Sequence, residues 1–191
     1  MKAAGHEAPD PGLRDRFSSL PRAPVSLVCC ALAKQVNQGG IIRLAEAFRL
    51  ESVRFEIEPE DVMDMAGARG AGQWLDWQYQ HPLEAIKAAK SSGSQVVCLT
   101  LNDQSISISD VPWQFPCTLV LGEEKIGVPK EIEDACDLSA AIPLYGMMQS
   151  LNVTHAAVIA VWEALNAYRK ADPSFIPARA VSKRLLQLED Q

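Results

Sequence analysis

Residues 142–153 read IPLYGMMQSLNV and join a short apolar run (138–142) to the longest helix that the spacing predicts, 151–169. Surface loops are usually polar, whereas this loop is apolar. We therefore expect it to be buried or to line a pocket for a partly apolar ligand. Ser150 is a candidate N-cap of the helix, and Asn152 then falls in its first turn as a surface residue. His155 is expected to pack within the helix.

Outward from this loop, short apolar runs alternate with helical patterns along the chain. The strands are predicted at 25–33, 52–57, 95–101, 117–121 and 138–142, and the helices at 40–49, 82–92, 129–135 and 151–169. Several strands are apolar on both faces, as strands covered by helices on both sides must be. The pattern predicts an α/β fold with a mostly parallel sheet flanked by helices. Ligands of such sheets bind beyond the carboxyl ends of the strands, so functional residues are sought in the loops there.

Two more loops at this predicted edge contain unusual residues. Residues 37–48 read NQGGIIRLAEAF, in which two glycines permit close backbone approach and Arg43 falls in the first turn of a helix. Residues 121–129 read LGEEKIGVP, in which two carboxylates precede a helix begun by proline. Each loop has a plain structural explanation: a tight turn capped by Asn37, and acids that complement a helix dipole. Neither is a G-x-G-x-x-G fingerprint, which disfavours a Rossmann dehydrogenase.

Taken together, the three loops resemble the SpoU (TrmH-like) family of the SPOUT superfamily, the RNA ribose 2′-O-methyltransferases. The first loop matches the family motif N-x-G-x-x-x-R, the second matches L-G-x-E-x-x-G, and the third matches I-P-M-x-G-x-x-x-S-L-N-V-S. Leu144 and Thr154 replace the usual Met and Ser of the third motif. The resemblance spans residues 25–169, and three motifs in the family's order make it specific.

The resemblance implies a deep C-terminal trefoil knot in the α/β fold, a homodimer with its active site near the subunit interface, and S-adenosylmethionine bound in the knot. The catalytic residues that it implies are Asn37, Arg43, Glu124, Ser150 and Asn152. The cofactor-binding residues that it implies are Leu99, Leu121, Gly122, Ile142, Leu144 and Leu151. No metal is expected, because the cofactor already carries an activated methyl group.

The resemblance places Arg43 at the ribose hydroxyl. Arginine is a poor general base, because its pKa exceeds about 12. Our hypothesis is that Arg43 binds the adjacent phosphate and lowers the cost of alkoxide development, while the proton leaves through that phosphate or a water. Glu124 is expected to orient Arg43 or Asn37, with a purely structural role at the helix start as the alternative.

The RNA substrate is suggested by the third motif alone. Residues 149–153 look closest to the enzymes that methylate a D-loop guanosine in tRNA, so tRNA is the favoured partner. Ribosomal RNA and a wobble position of tRNA are the alternatives. An alternative of another class is a non-catalytic RNA-binding protein that kept the fold.

The composition is that of an ordinary globular domain, with 48% hydrophobic and 22% charged residues among 191. The net charge of -6 argues against a simple basic nucleic-acid binder. However, residues 1–30 sum to +1 and residues 169–191 to +2, which leaves -9 on the rest. Because both ends of the chain carry a net positive charge, we expect the ends of both subunits to contact the RNA.

The expected organisation is a flexible leader (1–24), a methyltransferase domain (25–170) and a tail (171–191) whose apolar spacing permits a helix from 178 to 188. The chain has no apolar run long enough for a transmembrane helix, and no membrane partner is expected.

The five cysteines of the chain are interpreted as small buried hydrophobes in a reducing cytoplasm, because no C-x-x-C pair or metal-ligand spacing accompanies them. They are Cys29, Cys30, Cys98, Cys117 and Cys136.

Overall fold

The computed structural model describes residues 17–30, 32, 34–56, 68, 70–123 and 126–176. The strands within these residues are β1 (Ala23–Cys29), β2 (Leu50–Phe55), β3 (Asp76–Tyr79), β4 (Gln95–Leu99), β5 (Ile106–Ser107), β6 (Cys117–Leu121) and β7 (Leu138–Ala141). The α-helices there are α1 (Gln35–Ala47), α2 (Pro82–Ser91), α3 (Lys130–Asp134) and α4 (Val153–Ala171). The strands form one sheet in the order β3-β2-β1-β6-β4-β7-β5, and every pairing is parallel. The predicted fold class is confirmed.

Helices cover both faces of the sheet, which explains why the central strands are apolar throughout. All five residues of β6 are buried. Leu119 and Leu121 pack in the larger hydrophobic cluster, to which α1 and α4 contribute. Val120 points to the opposite face and packs in a smaller cluster with residues of α2 and α3. Alternate residues of one strand therefore stabilise two different helix layers.

The five predicted strands and four predicted helices are all present, whereas the edge strand β3 was not predicted. β3 reads DWQY and is largely exposed, and β5 has only two residues. Apolar runs reveal strands that are buried on both faces, and edge strands lack that burial. The missing signal is therefore a consequence of their position in the sheet.

Helix α1 begins at Gln35 rather than at the predicted residue 40. Asn37 is therefore the third helical residue rather than the cap of a turn, and Arg43 lies in the third turn rather than the first. The two glycines suggested a loop, but Gly40 serves helix packing. A Cβ on Gly40 would lie 3.1 Å from Thr154 Cγ2, so the missing side chain lets α1 and α4 approach closely.

Helix α4 begins at Val153, and its N-cap is Asn152 rather than the predicted Ser150. The Oδ1 atom of Asn152 accepts a hydrogen bond from the Thr154 N–H at 2.9 Å. Serine and asparagine cap helices about equally well, so the sequence alone could not choose between them. His155 is exposed on this helix, and the expectation that it packs there is wrong.

Both ends of the described chain dock near the amino end of the sheet. Arg22 donates hydrogen bonds to the carbonyl oxygens of Leu50, at 3.0 Å, and Trp74. Arg49 Nη2 donates to the carbonyl oxygen of Ile176 at 2.8 Å. Residues 1–16 of the leader and the tail helix expected at 178–188 lie outside the described residues, so the predicted domain organisation stays a prediction.

Candidate active site

The carboxyl ends of four neighbouring strands bring the sequence motifs to one edge of the sheet. Leu121, the last residue of β6, pairs with Cys29 at the end of β1 and with Leu99 at the end of β4. Leu99 pairs in turn with Ala140 near the end of β7. The loops after these four strands therefore leave the sheet side by side.

A direct hydrogen bond joins the first and third motifs. The Nδ2 atom of Asn152 donates to Oδ1 of Asn37 at 3.1 Å, across 115 positions of sequence. Asn37 is buried, whereas Asn152 is exposed at the start of α4. The same asparagine caps α4 through its Oδ1 atom. Helices α1 and α4 run side by side from this point, since Phe48 contacts Trp162 further along, with ring centroids 6.0 Å apart.

Arg43 is exposed on α1. Within the part of the chain that the structure describes, its guanidinium has no hydrogen bond and no ion pair. It lies two turns beyond Val36 on the helix surface, and both side chains are exposed. The guanidinium group therefore offers its full set of N–H donors to a bound molecule.

The second motif closes on itself immediately after β6. Glu123 and Gly127 form a small antiparallel bridge, with N–H to carbonyl oxygen distances of 3.1 and 2.8 Å. A Cβ on Gly122 would lie 2.3 Å from the carbonyl carbon of Gly127, so only glycine fits there. Gly127 itself has a φ of 76°. Glu124 lies outside the described residues, and its predicted role stays a prediction.

The third loop is exposed in the single chain rather than buried. Tyr145 and Met147 are fully exposed, at 100% of their surface, and Met148 is at 75%. No hydrogen bond between described residues involves the segment from Leu144 to Leu151. A contiguous apolar segment with unpaired backbone groups is typical of a surface that a ligand or another chain covers.

The remaining predicted cofactor residues all lie at the same edge. Leu121 is buried and its carbonyl oxygen accepts a hydrogen bond from the Cys30 N–H at 2.9 Å, whereas Leu99 and Gly122 are partly accessible. Ile142 begins the third loop and is half-buried. Ser150 is exposed near the end of that loop. Apolar side chains next to free backbone donors and acceptors suit a ligand with a flat heterocycle and a polar amino-acid end, and the donor set therefore fits S-adenosylmethionine.

The loop after β4 contains polar residues whose contacts the sequence analysis did not identify. Asn102 donates from Nδ2 to Glu133 Oε1 at 2.8 Å. The Gln104 N–H donates to Asn102 Oδ1 at 2.8 Å, which is the pattern of an asparagine turn. The Asn-Asp-Gln-Ser sequence after an apolar strand was the available signal for the turn, but nothing in it indicated Glu133.

The cysteines behave as predicted in that none of the five forms a disulfide and four are buried. Burial raises the pKa of the Cys30 and Cys117 thiols to about 12. A thiol with so high a pKa is uncharged at neutral pH and a weak nucleophile. Cys136 is half-buried.

Among the described residues, no group of three or more His, Cys, Asp or Glu side chains is placed to hold a metal ion. No described helix is long and apolar enough to cross a membrane.

A parallel α/β sheet with the three motifs following its strands is the arrangement expected of the RNA ribose methylases that the sequence resembles. Residues 24–162 match the SpoU rRNA Methylase family, and the chain belongs to that family. The resemblance found in the sequence is thereby confirmed.

Relatives in this family include enzymes named for tRNA and for rRNA. A tRNA (guanosine(18)-2′-O)-methyltransferase of Escherichia coli (strain K12) is 28% identical over 173 residues, which cover 86% of this chain and 75% of that protein. A 23S rRNA (guanosine-2′-O-)-methyltransferase of Burkholderia sp is 38% identical over 81 residues, which cover 42% of this chain and 32% of that protein. The tRNA enzyme therefore matches along far more of its length.

The fold is likewise shared with solved structures. The TrmH/SpoU tRNA modifying enzyme of A. aeolicus superposes with a TM-score of 0.77 at 23% identity, covering 92% of this chain and 91% of that one. An AdoMet-bound rRNA methyltransferase of Sinorhizobium meliloti superposes with a TM-score of 0.68 at 25% identity, covering 81% of this chain and 60% of that one.

Proposed function

We propose that this protein transfers a methyl group from S-adenosylmethionine to a ribose 2′-hydroxyl of tRNA, with a D-loop guanosine as the favoured position. The observation that carries the proposal is the Asn37–Asn152 hydrogen bond, which joins the first and third motifs at the start of the helix that carries the exposed Arg43. The length of the match to the tRNA enzyme favours tRNA over the rRNA alternative.

The carboxyl edge of the sheet would hold the cofactor, through backbone groups at Leu121, Gly122 and Leu144 to Leu151 and an apolar wall at Leu99. When bound, S-adenosylmethionine supplies a methyl group on a positively charged sulfur, which is already activated for attack by an oxygen. The chain's task is therefore to position the ribose and to assist the loss of its hydroxyl proton.

Arg43 would bind the phosphate next to the target ribose through two parallel N–H donors. A guanidinium held there stabilises negative charge as it develops on the 2′-oxygen, and the proton leaves to the phosphate or to water. Asn37 and Asn152 fix the start of α1 relative to the start of α4, and the third loop precedes α4 directly. They thereby set the position of Arg43 relative to the cofactor loops.

An Asn152→Asp variant separates the two contacts of this residue. The carboxylate still caps α4, so the free energy of unfolding should fall by only about 1 kcal/mol, which is the cost of the lost hydrogen bond to Asn37. It can no longer donate to Asn37 Oδ1, and methyl transfer should fall by about ten- to hundredfold because the two helices shift. Thermal melting and single-turnover rates measure the two effects, with Asn152→Ala as the variant that loses both. An Asn152→Asp enzyme with the wild-type rate would refute this role.

We further propose that the active protein is a homodimer and works in the cytoplasm. Trp162 is 48% exposed, and Val158 one turn earlier is exposed beside it. Val36 of α1 is also exposed, and the third loop places further exposed apolar residues directly before α4. A second copy would cover these side chains, since their exposure is unfavourable in water. Five free thiols fit a reducing compartment.

A Trp162→Glu variant tests the homodimer. Placing a carboxylate in the centre of an apolar interface should raise the dimer dissociation constant by about a hundredfold. Sedimentation velocity over a range of concentrations measures the shift, and Trp162→Phe serves as the aromatic control. A wild-type chain that sediments as a monomer at every concentration would contradict the proposal.

The function itself is tested with purified protein, labelled S-adenosylmethionine and unmodified tRNA or rRNA. We expect label in tRNA, released as 2′-O-methylguanosine from the D-loop on nuclease digestion and mass spectrometry. Label in rRNA or at a wobble position would support those alternatives instead. If the protein binds RNA but calorimetry detects no binding of S-adenosylhomocysteine, it is the non-catalytic RNA-binding protein.

A further inference from the structure

The loop after β4, residues 100–105, is fixed to two other elements by a single side chain. The Nδ2 atom of Asn102 donates to Oε1 of Glu133 on α3 at 2.8 Å. The same nitrogen lies 3.4 Å from the hydroxyl oxygen of Ser139 on β7. Helix α3 follows the second motif, and β7 leads into the third loop. Asn102 therefore contacts the elements on which two of the three motifs depend.

The loop is also closed internally, so the side chain of Asn102 positions the whole segment. The Ser105 hydroxyl donates to the carbonyl oxygen of Thr100 at 2.9 Å and accepts the Asn102 N–H at 3.0 Å. The Thr100 N–H donates to the carbonyl oxygen of Ala140 at 3.0 Å. These hydrogen bonds close residues 100–105 on themselves, and Asn102 joins the segment to α3.

The acceptor of this hydrogen bond is itself held in place. The Glu133 side chain is only 15% exposed, and Lys130 Nζ lies 3.1 Å from its Oε1 atom. A charged acceptor makes the hydrogen bond from Asn102 stronger than a neutral one would. The loop carries Leu101, an apolar side chain that is 76% exposed and lies two residues after Leu99 at the carboxyl edge. Such exposure is consistent with a wall for an apolar ligand rather than with a core contact.

We propose that the Asn102–Glu133 hydrogen bond holds residues 100–105 as a fixed wall of the S-adenosylmethionine site, and that both residues are positioning residues for cofactor binding. The inference rests on the proposed function and extends it to residues outside the three motifs. Neither residue touches the reacting atoms. Substitutions at either residue should therefore change the affinity for the cofactor and have little effect on the turnover of the saturated enzyme.

A donor–acceptor exchange tests the hydrogen bond. In Asn102→Asp, Oδ1 still accepts the Gln104 N–H, but a carboxylate now faces that of Glu133 and repels it. We expect S-adenosylhomocysteine to bind about tenfold more weakly, as the loss of one hydrogen bond to a charged group predicts. Adding Glu133→Gln restores a bond with reversed polarity, since the new amide can donate to the carboxylate introduced at position 102. The dissociation constant for S-adenosylhomocysteine, measured by calorimetry, should then return to within about threefold of the wild-type value.

Further measurements separate positioning from general stability. KM for S-adenosylmethionine should rise in Asn102→Asp, while kcat and KM for tRNA stay near wild type. Tyr168→Phe is the matched control, because it removes one hydrogen bond, to Asp172 at 3.0 Å, at the opposite end of α4. Its affinity for S-adenosylhomocysteine should not change. If Asn102→Asp does not fold, Asn102→Ala removes the same donor without adding charge.

The outcomes distinguish this inference from the proposed function. A wild-type protein that binds no S-adenosylhomocysteine overturns both. A wild-type protein that binds it and methylates tRNA, with unchanged affinity in Asn102→Asp, overturns the inference alone. If the double variant binds S-adenosylhomocysteine no more tightly than Asn102→Asp alone, the hydrogen bond does not determine the affinity for the cofactor.

Discussion

An Arg43→Ala variant is expected to lower the single-turnover rate of methyl transfer to tRNA by about 10²–10³-fold, the usual effect of removing one preorganised donor from a developing oxyanion. Its melting temperature should not change. The guanidinium is exposed and, among the described residues, makes no hydrogen bond or ion pair, so its removal leaves no partner unsatisfied. A large loss of rate without a loss of stability would place Arg43 at the substrate.

Two further variants sharpen the Arg43 experiment. Arg43→Lys keeps the charge but loses the planar pair of donors, so an intermediate rate is expected. Lys87→Ala removes an equally exposed positive charge from α2 and should leave the rate unchanged. Near-wild-type rates in both Arg43 variants would show that phosphate binding and alkoxide stabilisation are not its role.

A Gly122→Ala variant is expected to lose a large share of the stability of the fold. The added Cβ would lie 2.3 Å from Gly127 C and 2.5 Å from Val128 N, and both are backbone atoms that cannot rotate away. The bridge between Glu123 and Gly127 would have to open. We expect a loss of about 3 kcal/mol or more in the free energy of unfolding, a large share of the stability of an ordinary domain.

Denaturant unfolding of the purified variant, or its soluble yield if it cannot be purified, measures this loss. Gly146→Ala is the matched control, since a Cβ at Gly146 meets nothing within 4 Å. Its free energy of unfolding should match that of wild type. Equal stability of the two variants would mean that the second motif relaxes easily, and that Gly122 is not required by close backbone approach.

The order of elements was predictable because burial on both faces of a sheet leaves a strong signal. The runs at β1, β4 and β6 are apolar at nearly every position, and the long helix α4 repeats apolar residues at helical spacing. The parallel pairing followed from the alternation of strands and helices. The edge strand β3 carries no such signal, because much of it faces solvent.

Predictions made from single residue types were wrong where a tertiary contact gave the residue a different structural role. A glycine is compatible with a loop wherever it occurs. Gly40, however, lies within α1, where its missing side chain lets Thr154 pack against the helix. Ser150 and Asn152 are equally good caps, and the geometry of the third loop selected Asn152. The apolar loop from Leu144 to Leu151 was correctly recognised as unusual, yet the single chain does not bury it. The knot implied by the family resemblance stays a prediction.

By itself, the sequence determined the α/β class, the family and the three motifs at the carboxyl edge, because each depends on residue types within a short stretch. Only the tertiary structure decided which motif residues touch. Asn37 meets Asn152 and Asn102 meets Glu133 across 115 and 31 positions. Hydrogen bonds between such distant residues depend on how helices pack on the sheet, and no local pattern in the chain encodes those distances.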